Sequence, residues 1–189
     1  HYVIRMSKKN NIVKFVTISE ALAQFWINNG VPKNKILVAH DGFSPHLFGK
    51  ERQKIEARTL LGLPKNQKIV VYAGSLYADR SVERIISLAN RFPRVLFVVV
   101  GGSKEQAKYY SDLSNKADGI NILWKGFVPH ADIPVYLQAA DVLLMLFTWK
   151  IPTIRFCSPL KVFEYMAAGR IIVGEAFPTI TEVLKHNYT

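Results

Sequence analysis

The chain has 189 residues, 25 Lys and Arg against 14 Asp and Glu, a formal net charge of +11 and 49% hydrophobic residues. That balance excludes a mainly disordered chain, and the apolar runs at 95–100 and 142–147 are far short of the roughly 20 residues a spanning helix needs. The single cysteine, Cys157, excludes an internal disulfide framework and suits a reducing compartment, and no Cys/His cluster has zinc spacing.

In chain order, residues 14–18 predict a short strand. Ser19 is a good N-cap for a helix over 20–28, closed by Asn29-Gly30. Residues 36–39 predict a second strand and Asp41-Gly42 a turn. Residues 42–54, with Gly, Pro and charge, predict a linker, and a domain boundary is expected near residue 45. The piece before it is too short to bury a core alone.

From Ile69 onward strands and helices alternate. The run 69–73 (IVVYA) is apolar without alternation, as in a strand covered on both faces. A helix over 82–92 follows, stopped by Pro93. The chain then predicts a strand over 95–100 running into Gly101-Gly102, and a helix over 105–117 ended by Asp118-Gly119. A strand over 120–124, a helix over 133–140 and a strand over 141–147 come next. After an irregular, mobile stretch at 148–157, a helix over 159–168 ends at Gly169. A strand over 171–174 and a helix over 179–185 close the series. Repeated β-α units with short loops give a doubly wound, Rossmann-like parallel sheet with helices on both faces. Ligands in that class meet the carboxyl ends of the strands.

Three segments there can carry chemistry. The loop 74–81 (GSLYADRS) joins a buried strand to a helix N-terminus, where backbone N–H groups favour an anion. Gly74 and Ser75 open it, and Arg80 adds a fork of donors suited to phosphate. A plain strand-to-helix loop with a surface arginine is the other reading. In the run 158–169 (SPLKVFEYMAAG), Ser158 can cap the helix and Pro159 suits its first position. Lys161 then lies in the first turn, unfavourably for the helix dipole unless it faces an anion. Glu164, three positions on, can accept two ribose hydroxyl hydrogen bonds or simply pair with Lys161 on the surface. At other strand ends, Gly101 and Gly102 permit close backbone approach, and Phe127 and Val128 can flank a flat base; ordinary turns are the alternative. Tyr109, Tyr110 and Trp124 read as packing residues.

Residues 1–68 hold 12 Lys and Arg against 4 Asp and Glu. A basic surface suits nucleic acid, acidic lipid or a phosphorylated substrate, and serves equally as a solvated face. No helix-turn-helix, zinc-finger or aromatic-platform motif supports nucleic acid as a partner. No nucleophile–base pair stands at a recognisable spacing for triad hydrolysis.

Taken together, these residues resemble the donor-binding half of a GT-B glycosyltransferase of the retaining type grouped as glycosyltransferase family 4. The run 158–184 carries the strongest match, to the P-x-K-x-x-E-Y-M-A-x-G pattern followed by a strand and a P-x-x-x-E-V segment whose acid is Glu182. The segment VVYAGSLYADRSVERII resembles the family's strand, G-R-L-x-x-x-K-G loop and helix. FVTISEAL and HDGFSPHLF resemble the end of the acceptor domain and the crossover.

The resemblance covers nearly the whole chain. It implies that residues 1–45 are the end of the N-terminal acceptor domain and 46–189 the donor domain, truncated at its C-terminus. It further implies transfer of a sugar from a UDP- or GDP-sugar with retention at the anomeric carbon, with no metal and no other cofactor. Arg80 and Lys161 are then the catalytic pair that holds the departing diphosphate, Glu164 binds the ribose, and the loop at Phe127 and Val128 meets the base. Gly74, Ser75, Gly101, Gly102, Ser158 and Leu160 complete the donor contacts. The acceptor is a glycan or lipid-linked sugar met through the acceptor domain. The location is cytoplasmic, and peripheral contact with the cytoplasmic face of an anionic membrane is compatible with the basic front.

Four positions depart from the family pattern: Ser75 stands for the usual arginine, Arg80 for lysine, Ser81 for glycine and Phe156 for the first acid of a two-glutamate pair. The fragment alone is expected to be inactive as a transferase. The alternative is a non-catalytic nucleotide-binding or regulatory module on the same fold.

Overall fold

The computed structural model describes residues 2–48, 50–117, 119 and 121–184. A front segment carries α1 (Tyr2–Ser7), β1 (Phe15–Thr17), α2 (Glu20–Asn28), β2 (Ile36–Val38) and α3 (Pro45–Phe48). β1 and β2 form a separate two-stranded parallel sheet. Its Val16 and Leu37 stay exposed. Ser19 caps α2 as its sequence predicts, its hydroxyl accepting the Leu22 N–H at 3.1 Å.

The main sheet runs through β3 (Lys68–Ala73), β4 (Val95–Val100), β5 (Ile122–Gly126), β6 (Val142–Met145) and β7 (Ile171–Gly174). All neighbours are parallel, in the order β5-β4-β3-β6-β7. The chain winds outward from β3 to β5, then returns to place β6 on the other side of β3. The sheet is flanked by α4 (Lys54–Leu61), α5 (Glu83–Arg91), α6 (Lys104–Lys116), α7 (Ile133–Ala139), α8 (Leu160–Ala167) and the short α9 (Pro178–Thr181).

The central strands β3, β4 and β6 bury both faces, which is why they read as unbroken apolar runs, whereas β7 at the sheet edge leaves Ile171 and Val173 exposed. On one face Ile69, Val71, Ala73, Leu143 and Met145 pack with Ala57 of α4, Leu137 of α7 and Val162 and Tyr165 of α8. On the other, Tyr72, Phe97, Val99 and Leu144 pack with Val82, Ile85 and Ala89 at α5 and Tyr110 of α6. This is the doubly wound, Rossmann-like architecture that the alternation of elements predicts.

Several expectations change. The linker expected over 42–54 contains α3, whose Phe48 is buried in the main core, and ends at the start of α4. The stretch 148–157 is anchored: Ile151 and Ile154 are buried, and Trp149 packs edge-on against Phe177 at 4.6 Å. Tyr110 and Trp124 stack inside at 5.4 Å, whereas Tyr109 is exposed. The expected helix end at Asp118 and the expected starts and ends at Ile120 and Lys185 lie outside the described residues.

Candidate functional site

The reversal of winding puts a topological switch between β3 and β6, the place where doubly wound sheets take ligands. Two loops meet there by backbone. A Cβ added to Gly74 would collide with Nζ of Lys161, and one added to Gly101 with the carbonyl oxygen of Gly74. Gly74 N–H donates to Val100 O at 2.9 Å and Gly101 N–H to Gly126 O at 2.7 Å. Gly101 is therefore required by the close approach of two backbones, whereas at Gly74 the missing Cβ leaves the space that the Lys161 ammonium occupies.

Beyond Gly74 the chain makes a 3-10 turn over Ala78–Arg80 and leaves it through Ser81, whose φ of 51° is left-handed. Arg80 is largely buried at the turn's end. Its Nε lies 3.6 Å from Asp79 Oδ1, and among the described residues neither atom forms a hydrogen bond. Thr148, just beyond β6, donates its hydroxyl to Asp79 O at 2.7 Å and so pins this turn to the far side of the switch.

Lys161 approaches the same place from the first turn of α8. Its ammonium lies 4.3 Å from the centroid of the Tyr72 ring and 5.7 Å from that of Phe147. The two rings attract a cation through their π faces. Burial, then the positive charge of Arg80, push its pKa down to about 7, against the opposing pull of Glu164. No carboxylate among the described residues forms an ion pair with it. Two cations thus lie near each other at the switch: Lys161 has no ion-pair partner among the described residues, and Arg80 has Asp79 alone, at 3.6 Å and without a hydrogen bond between Nε and Oδ1. The Tyr72 hydroxyl donates to Ser75 O at 2.9 Å, fixing the loop beside the ammonium.

α8 is held from below by Tyr165. Its buried hydroxyl accepts the Ala73 N–H at 2.9 Å and lies 3.3 Å from Leu144 O, tying the helix to the ends of β3 and β6. Burial raises the Tyr165 pKa, so the phenol stays protonated. Glu164 is mostly covered and takes a 2.8 Å hydrogen bond from Nε2 of His130 on Oε1. The surface Lys161–Glu164 pair that the spacing allowed does not form. Ser158 does not cap α8 as predicted: Pro159 holds the cap position with no side-chain bond. The Ser158 hydroxyl instead accepts the Asp41 N–H at 3.1 Å, and Ser158 is buried. Leu160 is exposed at the head of the helix.

Phe127 and Val128 part company. Phe127 is 74% exposed, whereas Val128 turns toward the core. Phe127 walls a cavity of about 740 Å³ with Ser75, Tyr77, Gly102, Ser103 and Gln106. Ser103 and Gln106 form a capping box at the start of α6, so that helix begins on the cavity wall. Tyr77 is exposed across from these groups and suits a flat ligand. A second cavity, about 1010 Å³, opens at the amino ends of β3, β6 and β7 and is lined by Arg52, Lys54, Asp141 and Arg170 among others. Its carboxylate is already satisfied. Asp141 accepts from Lys54, from Arg58 and from the Ile69 N–H. Burial works against its charge, but these three donors hold its pKa down to about 2.

The structure therefore brings Arg80, Lys161, Gly74 and Gly101 together, and gathers Ser75, Gly102 and Phe127 at the neighbouring cavity. Tyr72, Phe147, Tyr77 and His130 escape sequence reasoning, because their roles depend on contacts between distant segments. Phe156, at the position of the family's first acid, packs on Phe25 of α2 at 5.2 Å. Its carbonyl accepts the Ser19 hydroxyl at 2.8 Å.

Residues 53–189 match the sequence model of a family described as glycosyl transferases, group 1. An uncharacterized glycosyltransferase of Methanocaldococcus jannaschii is 24% identical over 182 residues, covering 90% of this chain and 44% of its own length. The alpha-galactosylglucosyldiacylglycerol synthase of Streptococcus pneumoniae is 22% identical over 191 residues, covering 95% of this chain and 48% of its own length. The chain thus spans less than half the length of these two relatives. Among solved structures, Anabaena HepE in complex with UDP superposes with a TM-score of 0.71 at 19% identity, covering 92% of this chain and 48% of that one. The superposition agrees with the sheet order above in assigning the fold to the GT-B type. With most of its length matched by the family model, the chain belongs to the group 1 glycosyl transferases.

Proposed function

We propose that the chain is the donor-binding part of a retaining glycosyltransferase of family 4, acting on a nucleoside diphosphate sugar. The observation that carries the reading is Lys161 at the switch point, buried beside the positive charge of Arg80 and in no ion pair among the described residues, while Arg80 itself has only Asp79 Oδ1, 3.6 Å from its Nε, as a carboxylate neighbour. A diphosphate supplies the missing anion. Lys161 meets it as a buried charge and Arg80 as a fork of donors. As the bond from the anomeric carbon to the diphosphate breaks, negative charge grows on the leaving oxygens, and cations fixed beforehand stabilise it most. In this reading the two side chains do the work a divalent metal does elsewhere. Among the described residues no three His, Cys, Asp or Glu side chains gather as a metal site.

Glu164 binds the ribose hydroxyls, and the cavity between Tyr77 and Phe127 receives the base. A uracil base is favoured as the working choice because HepE was solved with UDP; GDP and ADP are the comparison ligands. Retention rests on the resemblance of the run 158–184. Residues 1–45 are assigned to the end of an acceptor-side domain, a reading supported by the separate sheet of β1 and β2 with its exposed Val16 and Leu37. Acceptor recognition, by a glycan or lipid-linked sugar, belongs to that side. Among the described residues no helix is long and apolar enough to cross a membrane. The basic front suits a cytoplasmic protein that meets an anionic membrane surface.

Calorimetric titration with UDP, GDP and ADP tests the reading. One diphosphate binds, and Arg80→Ala or Lys161→Ala each weakens it by about 1.5–3 kcal/mol, at least tenfold. Unchanged affinity in both variants removes the pair from the site. Transfer of radiolabelled sugar by a longer protein containing this chain tests catalysis.

A further inference from the structure

We propose that His130 is a positioning residue for the nucleotide ribose: it holds one oxygen of Glu164 so that the carboxylate already faces the vicinal diol. The inference rests on the donor-site reading and adds to it a residue outside the matched motifs.

The geometry is specific. Nε2 of His130 lies 2.8 Å from Oε1 of Glu164, and among the described residues the second oxygen, Oε2, takes no hydrogen bond. Oε1 keeps a free lone pair, since a carboxylate offers about four acceptor sites. The carboxylate can therefore hold the imidazole and both ribose hydroxyls at once. The two partners differ in freedom: the Glu164 side chain is 19% exposed and that of His130 62%. Glu164 is seated in α8, while His130 opens the 3-10 turn His130–Asp132 directly after Pro129. Asp132 N–H donates to Pro129 O at 2.9 Å, which ties this turn to the loop bearing Phe127. The bond thus joins the element that meets the base to the helix that meets the ribose. A nucleoside spans the same two elements, so a fixed bond between them sets their spacing before ligand arrives. Orienting a ligating carboxylate in advance through a neighbouring hydrogen bond lowers the ordering cost of binding. An Nε2–H donates in the imidazolium and in one neutral tautomer.

The test uses calorimetry on the chain with three probes: UDP, 2′,3′-dideoxy-UDP and inorganic pyrophosphate. His130→Ala weakens UDP about five- to tenfold, the size of one lost hydrogen bond. It leaves dideoxy-UDP and pyrophosphate unchanged. His130→Gln, which keeps an N–H donor near Nε2, restores most of the loss. Glu164→Ala abolishes the preference for UDP over dideoxy-UDP. Equal loss on all three probes in His130→Ala makes the residue merely a loop support, and no loss on any makes it idle; either overturns the inference. If Glu164→Ala leaves UDP affinity intact, the ribose role of that carboxylate falls and the inference with it. Failure of the donor-site reading has a different signature: neither UDP nor pyrophosphate binds the unaltered chain.

Discussion

Lys161 shows how a single residue sets opposite pH trends for stability and binding. Its pKa is down to about 7 through burial and the adjacent Arg80, far below the ordinary lysine value of 10.5. Between those values the unfolded chain binds the proton that the folded chain lacks, so folded stability rises with pH across that window. Binding of an anion reverses the preference, because only the ammonium pairs with phosphate. UDP affinity therefore falls as pH rises above about 7, by up to about tenfold per unit, and binding below the shifted value takes up fewer protons from solution. Titrations from pH 6 to 9 in buffers of different ionisation heat check this, and a flat profile counts against it. Much of the candidate pair was legible in the sequence: a lysine in a first helical turn and an arginine at a strand-to-helix loop are local anomalies. The aromatic box of Tyr72 and Phe147 was not, because nothing in an apolar strand says which alternate residue will lie under a distant ammonium. Ser81 is a third local anomaly, a serine where the family resemblance expects glycine, and the structure gives it the left-handed backbone that glycine favours.

At the scale of elements, α8 works because its buried face is pinned by a polar contact. Tyr165 satisfies the Ala73 N–H at the end of β3 and reaches Leu144 O at the end of β6. Removing its hydroxyl leaves a buried N–H unpaired. Tyr165→Phe should cost about 1–3 kcal/mol of stability, read by urea unfolding, and should also weaken UDP, since Lys161 and Glu164 ride on the same helix. A stability change within a few tenths of a kcal/mol would show that the phenol is not the tie described. The strands and most helices could be read from their apolar runs and spacing. α4 could not, because Lys54, Glu56 and Arg58 give its short sequence the charge of a linker, and its purpose appears only when Arg58 is seen inside. The Ser158 cap failed for a related reason: the hydroxyl was claimed by the Asp41 N–H from another part of the chain.

Across the whole molecule, binding and structural chemistry stand at opposite ends of one sheet. The carboxyl ends hold the cations and the candidate nucleotide cavity; the amino ends hold a closed polar clamp. There Arg58, 2% exposed, donates to Ala139 O at 2.9 Å, Lys65 O at 2.7 Å, Gln67 O at 3.0 Å and Asp141 at 2.7 Å. Asp141→Asn leaves the buried guanidinium without its counter-charge and should destabilise the fold by about 3–5 kcal/mol, as breaking a buried pair does. For the unaltered chain the depressed carboxyl pKa gives a stabilisation that is present above the ordinary aspartate value of 3.8 and is lost as pH falls toward about 2. Denaturant midpoints of both proteins between pH 2 and 7 check the sign, and a mutant that matches the parent at pH 7 refutes the clamp.

The front segment grips the body through Ser19 on the Phe156 carbonyl, the Glu20 N–H on Glu182 and the Asp41 N–H on Ser158. A chimaera spliced near residue 45, with its front taken from a relative, keeps the whole five-stranded sheet and, with any residue but proline at 20 and 41, the two backbone donors, yet it puts a foreign side chain where the Ser19 hydroxyl meets the Phe156 carbonyl. The seam that looks natural on the sequence is, in three dimensions, a joint whose two halves have to be exchanged as matched pieces.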